Sequence, residues 1–316
     1  MISSIAMGFA QLLLVLGLAP LLTGTVRTVK ARLQRRRGPG LLQPYRDLAR
    51  LLRKEVVVAP NASWVFGAAP YVIFAATVVA AVLVPTFVTD IGLGAAGDLI
   101  VIVGLLAVAR FALALAGLDI GTSFGGIGSS REMMIAALAE PATLILIFCL
   151  ALIAGSTRLS DIAAFVQSPE LGLRISLLLA FVGFCMIAVA ETGRIPVDNP
   201  ATHLELTMVH EAMVLEYSGR HLALIEYASF VKLLFYLSLI CGVFLPWGIA
   251  LPGAGLEQLL SAVVLYVVKL LLVAGALGLF EVTIAKMRVF RVPQYIGTAL
   301  MLALLATLLQ LALRSH

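Results

Sequence analysis

The sequence predicts an all-α integral membrane protein: about eight transmembrane helices, an amphipathic interfacial helix, and a structured cytoplasmic loop between helices five and six. Three observations predict it. Hydrophobic residues make up 61% of the 316-residue chain and charged residues only 12%, about half the ~25% of a soluble domain. The mean hydropathy is +1.07. Apolar runs long enough to cross a bilayer, ~20 residues each, recur from end to end, so a single transmembrane domain over 1–316 suits the chain better than two soluble ones.

The predicted spans lie near residues 4–26, 70–89, 98–117, 132–155, 173–192, 222–247, 258–283 and 294–313. The first has no basic residues ahead of its apolar stretch Ile5–Leu22 and no cleavage-like site, so it reads as a retained helix rather than a signal peptide. Loop charge sets the expected orientation. The first loop carries Arg27, Lys30, Arg32, Arg35, Arg36, Arg37, Arg46, Arg50, Arg53 and Lys54, and the last carries Lys286, Arg288 and Arg291. The even-numbered loops hold mainly Asp90, Arg158, Asp161, Glu170 and Glu257. The odd loops are therefore predicted on the cytoplasmic side of a bacterial inner membrane, with both termini on the periplasmic side. The net charge of +5 is mostly this asymmetry and does not suggest nucleic-acid binding.

Two loop segments have patterns of their own. In Leu41–Glu55, Leu48, Leu51 and Leu52 repeat at helical spacing with Arg46, Arg50, Arg53 and Lys54 between them, which predicts an amphipathic helix. It serves either as a lipid anchor or as a docking surface for a soluble partner. Between the fifth and sixth spans, Pro196 and Pro200 interrupt the chain, Asn199 can cap a helix and Gly219 can end it. Glu205, Glu211 and Glu216 stand among Leu and Met there, so this piece is expected to pack back on the bundle or on a partner.

Charge inside the membrane costs about 2.5–3.5 kcal/mol per residue on insertion scales, which makes each retained charge a functional candidate. These are Arg110, Glu140, Glu191, Glu226, Lys232, Lys269 and Glu281. Glu140 precedes Pro141, which can open the local backbone and admit water. Two readings stand: a proton path through buried carboxylates, or static ion pairs. Glu281, near the cytoplasmic edge, can simply be solvated.

Several chemistries find no motif. Cys149, Cys185 and Cys241 sit singly in apolar runs without a CxxC, so no iron–sulfur or zinc site is expected. His210-Glu211 begins like HExxH, but Val214 holds the second His position. His203 and His210 alone make a poor metal pair. The glycine-rich 121–130 stretch lacks the Lys of a phosphate loop and reads as a flexible cytoplasmic turn.

Four blocks resemble the complex I subunit 1 superfamily over nearly the whole chain: ARLQRRRGPGLLQPYRDLARLLRKE (31–55), GSSREMMIAALAEP (128–141), AETGRIPVD (190–198) and LEYSGRHLALIEY (215–227). The uninterrupted Gly38-Pro39-Gly40-Leu41, and Glu281 followed by Lys286 and Arg288, look like the membrane anchor of group 4 nickel–iron hydrogenases rather than the quinone branch. Ala201 and His203 stand where an acidic run is usual, leaving Glu205 of it.

The resemblance implies a subunit without its own redox centre. It would join a cytoplasmic arm of hydrogenase-like large and small subunits and an iron–sulfur subunit, holding Fe–S clusters and Ni–Fe, to antiporter-like membrane subunits in the lipid bilayer. It implies a proton path through Glu140, Glu191, Asp198, Glu205, Glu216 and Glu226, beside Lys232, Lys269 and Glu281 read from their buried positions. Arg35, Arg36, Arg37, Arg46, Arg131 and Arg194 would face the arm. The alternative is a quinone-site subunit of an NADH:quinone oxidoreductase, with a quinone cavity. A stand-alone transporter would favour internal repeats, and none is evident.

Overall fold

The computed structural model describes residues 2–89, 97–167, 175–198, 208–245, 247–250, 253–288 and 291–314. It is helical, with no named strand among these residues. The elements are α1 (Ile2–Leu33), α2 (Gln43–Leu52), α3 (Trp64–Val82), α4 (Leu99–Asp119), α5 (Ser123–Ala154), α6 (Leu159–Val166), α7 (Ile175–Glu191), α8 (His210–Val214), α9 (Gly219–Leu239, continuing as a π turn over Ile240–Phe244), α10 (Leu256–Thr283) and α11 (Val292–Arg314).

Seven helices, α1, α3, α4, α5, α9, α10 and α11, are long and apolar enough to cross a membrane. The expected fifth span is the shorter apolar helix α7; residues just before it lie outside the described set. Helix starts follow local chemistry: Ser63, Asp98 and Thr122 each accept a backbone N–H of the first turn of α3, α4 and α5. Gly155, in the left-handed region, closes α5.

The packing is that of a membrane bundle. Large apolar side chains such as Leu272 and Leu308 point outward, 69% and 60% exposed, while alanines fill the interior. On α11, Ile296, Ala299, Ala303 and Ala306 are all buried and let α5 and α7 approach closely. Further along that face Gln310 accepts from Ser176 of α7. Helix α9 is the axis of the bundle: 78% of its spanning window is buried, against 28% for α10 and α11. It carries Glu226 and Lys232.

The loops gather at two ends. At one, Ala250 bonds Phe87 and Thr89, and Asp98 bonds Thr157. At the other, Ser218 bonds both backbone groups of Val57, Asn61 donates to Ile120 O, and Met287 N donates to Pro196 O. The even- and odd-numbered loops thus separate. The two tryptophans, Trp64 and Trp247, stand exposed one toward each end, as aromatic interface anchors do.

Two expectations change. The glycine-rich 121–130 stretch is helical from Ser123 onward. A Cβ on Gly125 would overlap Gly117 O, and one on Gly128 would stand 2.9 Å from Met213 Cγ. These glycines serve close packing of α5 on α4 and α8, rather than flexibility. Gly219 opens α9 instead of ending a helix from Pro200; α8 stops at Val214, and Asn199–Thr207 lies outside the described residues.

Gly219 also has φ +54°, and a Cβ there would overlap Glu55 O. Beside it Tyr217 stacks on Phe66, centroids 3.9 Å apart, and donates to Phe66 O. Gly219→Ala is expected to cost at least ~2 kcal/mol, combining backbone strain with the clash. A melting temperature unchanged from wild type in the detergent-solubilised protein would refute this.

Candidate functional site: a charged cavity around Arg110

Arg110 lies midway along α4, roughly 15 Å from either end at 1.5 Å per residue. Its side chain is 5% exposed. It contacts three carboxylates on two neighbouring helices: Glu191 of α7, Glu140 of α5 at 3.1 Å, and Glu132 of α5 at 3.4 Å. Lys232 of α9 adds a second cation to Glu191 at 3.1 Å. One guanidinium can serve three acids because its five N–H donors fan out in a plane.

Beside the cluster is a cavity of about 450 Å³. Six acids line it (Glu132, Glu191, Asp198, Glu211, Glu226, Glu281), with Arg27, Lys30, Arg110, Arg194, Lys232 and His210. They come from α1, α4, α5, α7, α8, α9, α10 and the segment after α7, so no short stretch of sequence contains the site. Toward the odd-loop end Glu281 is bound by Lys30 at 2.5 Å and Arg194 at 2.6 Å, and Asp198 by Lys286 at 3.4 Å. Glu281 is only 4% exposed. The expectation of a solvated edge residue is therefore corrected: two cations from other elements fold over it.

The predicted residues divide. Glu191, Asp198, Glu226, Lys232 and Glu281 share the cavity wall, and Glu140 joins through Arg110. Glu216 is exposed and outside the wall. Glu205 lies outside the described residues. Lys269 is elsewhere: its Nζ donates to Leu245 O and Trp247 O, both at 2.9 Å, where α9 breaks off. Arg35, Arg36, Arg37 and Arg46 are exposed. Arg131 and Arg194 instead have internal partners, Met208 O and Glu281.

Sequence reasoning missed Glu132, Lys30, Arg27 and His210 as parts of this wall. Arg27 and Lys30 read as loop charges, yet α1 continues to Leu33 and carries them alongside the bundle. Their i, i+3 spacing was the available signal.

The family profile described as NADH dehydrogenase matches residues 6–312. Formate hydrogenlyase subunit 4 of Escherichia coli (strain K12) is 37% identical over 284 residues, 90% of this chain and 91% of that one. Hydrogenase-4 component C of the same organism is 37% identical over 281 residues, 88% and 87% of the two chains. Among solved structures, a chain of the membrane-bound sulfane sulfur reductase, an archaeal respiratory membrane complex, superposes with a TM-score of 0.80. At 19% identity, that match covers 96% of this chain and 99% of the other and shows the shared fold. With the match running nearly end to end, this chain belongs to the NADH dehydrogenase family, as a membrane protein of the subunit 1 type.

Proposed function

We propose that this chain is the membrane subunit of a hydrogenase-type respiratory complex. It anchors a peripheral electron-transfer arm and couples the arm's chemistry to proton translocation. The carrying observation is the mid-span Arg110 cluster opening on a cavity walled by ionisable groups. Buried charge this costly is retained where it works. The helices cross the inner membrane eight times, counting α7, with the odd loops cytoplasmic and both termini periplasmic. The exposed Arg35, Arg36, Arg37 and Arg46, beside α2, present a basic face to the large, small and iron–sulfur subunits of the arm.

Protons move along the wall through Asp198, Glu226, Glu191 and Glu140, with Lys232 and Glu281 setting the local field. Glu205 and Glu216 supply acids at the mouth. Lys269 holds the end of α9 on the opposite side. Glu140 is the way out. Its side chain is 40% exposed inside a spanning helix, where lipid would leave a carboxylate unsolvated, so an antiporter-like membrane subunit covers it. Deleting the gene is expected to leave the redox subunits in the soluble fraction after cell fractionation. Arm subunits that stay membrane-bound and active would overturn the reading.

A quinone-site role is the second reading, favoured by a cavity volume inside the 300–1,000 Å³ range of ligand pockets. Twelve of its thirty-one lining residues are ionisable, and that charged part of the wall suits water better than an apolar ring and tail. Quinone-site inhibitors separate the readings, because only a quinone enzyme loses activity to them.

A further inference from the structure

The acids of the cavity wall are not equivalent. Glu191, Glu281, Asp198 and Glu132 each have a cation within 4 Å. Glu226 and Glu211 have none among the described residues. These two flank His210, whose Nε2 is buried without a hydrogen-bond partner. A buried ring nitrogen left unpaired is costly, and a cavity of this size can supply water to it. His210 is also the one imidazole on the wall, and a neutral imidazole can accept a proton on one nitrogen and pass it on.

Depth gives the group a place in a sequence. His210 opens α8 at the odd-loop end. Glu226 stands seven residues into α9, ~10 Å in, and Lys232, bound to Glu191, thirteen residues in, ~20 Å. The charges within electrostatic reach of Glu226 come from several elements: His210 and Glu211 of α8, Arg27 of α1 and Asp47 of α2.

We propose that His210 is the proton-uptake group of the cavity, receiving a proton on Nε2 from the arm side and passing it through water to the unpaired carboxylate of Glu226. The imidazolium becomes neutral imidazole as the carboxylate becomes a carboxylic acid, so charge and protons balance within the pair. Glu211 stands beside the pair on the same wall. This assignment rests on the proton-coupling reading above and names the group that loads it.

The test uses the complete complex in sealed vesicles, reading protons moved per electron pair beside dye-linked redox turnover. His210→Gln is expected to lower the ratio at least tenfold, within the range of losses for positioned proton carriers, while dye-linked turnover is kept. His210→Glu, which restores a side chain able to carry a proton, is expected to recover part of the ratio.

A His210→Gln complex with the wild-type ratio overturns the proposal. So does a His210→Glu complex that assembles with full dye-linked turnover and recovers none of the ratio lost in His210→Gln. A wild-type complex that translocates no protons at any pH overturns the coupling reading itself, which is a different failure.

Discussion

Arg110→Met is expected to abolish accumulation of the folded subunit in membranes. The substitution keeps much of the side-chain volume and removes the charge from the centre of α4. Glu191, whose side chain is 2% exposed, then keeps only Lys232, and Glu140 and Glu132 keep no cation within 4 Å among the described residues. Breaking a buried ion pair by removing one partner costs about 3–5 kcal/mol, a large share of the roughly 5–15 kcal/mol that holds a typical domain together. The measurement is the amount of subunit in purified membranes and its melting temperature in detergent. Arg110→Met combined with Glu191→Gln is expected to cost less than the sum of the two single changes, because the second change removes the acid that the first stranded. Wild-type accumulation and melting of the single variant would refute the cluster's structural role.

Glu140→Gln is expected to lower the number of protons moved per electron pair by about tenfold or more, the scale of loss for a positioned proton carrier. The amide has the shape of the acid and can still accept from Arg110, which the carboxylate does at 3.1 Å, so packing and assembly are preserved. It cannot bind and release a proton. The position makes the effect large: Glu140 is held by the central guanidinium while 40% of its side chain stays accessible. Glu140→Asp, which retains a titrating group one methylene shorter, is expected to recover part of the ratio. An unchanged ratio in Glu140→Gln would remove Glu140 from the path and leave it as a partner of Arg110 alone.

Most spanning helices were legible because lipid makes the requirement local. A helix in hydrocarbon must satisfy its own backbone and be apolar over ~20 residues, and that shows in any window. The amphipathic α2 was legible for a related reason: Leu48 is buried while Arg46, Arg50 and Arg53 are exposed, as the spacing required. The glycines of 121–130 were misread because the signal is ambiguous. Glycine serves both flexible turns and close helix packing, and only the approach of Gly117 and Met213 decides between them.

The sequence alone determined that this is a membrane bundle, which family blocks it carries and which charges the bilayer must tolerate. Tertiary structure alone decided the pairing. It gathered three acids on Arg110, folded Lys30 and Arg194 over Glu281, left Glu226, Glu211 and His210 without ion pairs among the described residues, and set Lys269 apart at the broken end of α9. The reason is physical. Hydropathy is a property of each segment, whereas a charge in low dielectric is stabilised by whichever partner the fold brings within a few ångströms. Here those partners lie tens of residues away along the chain.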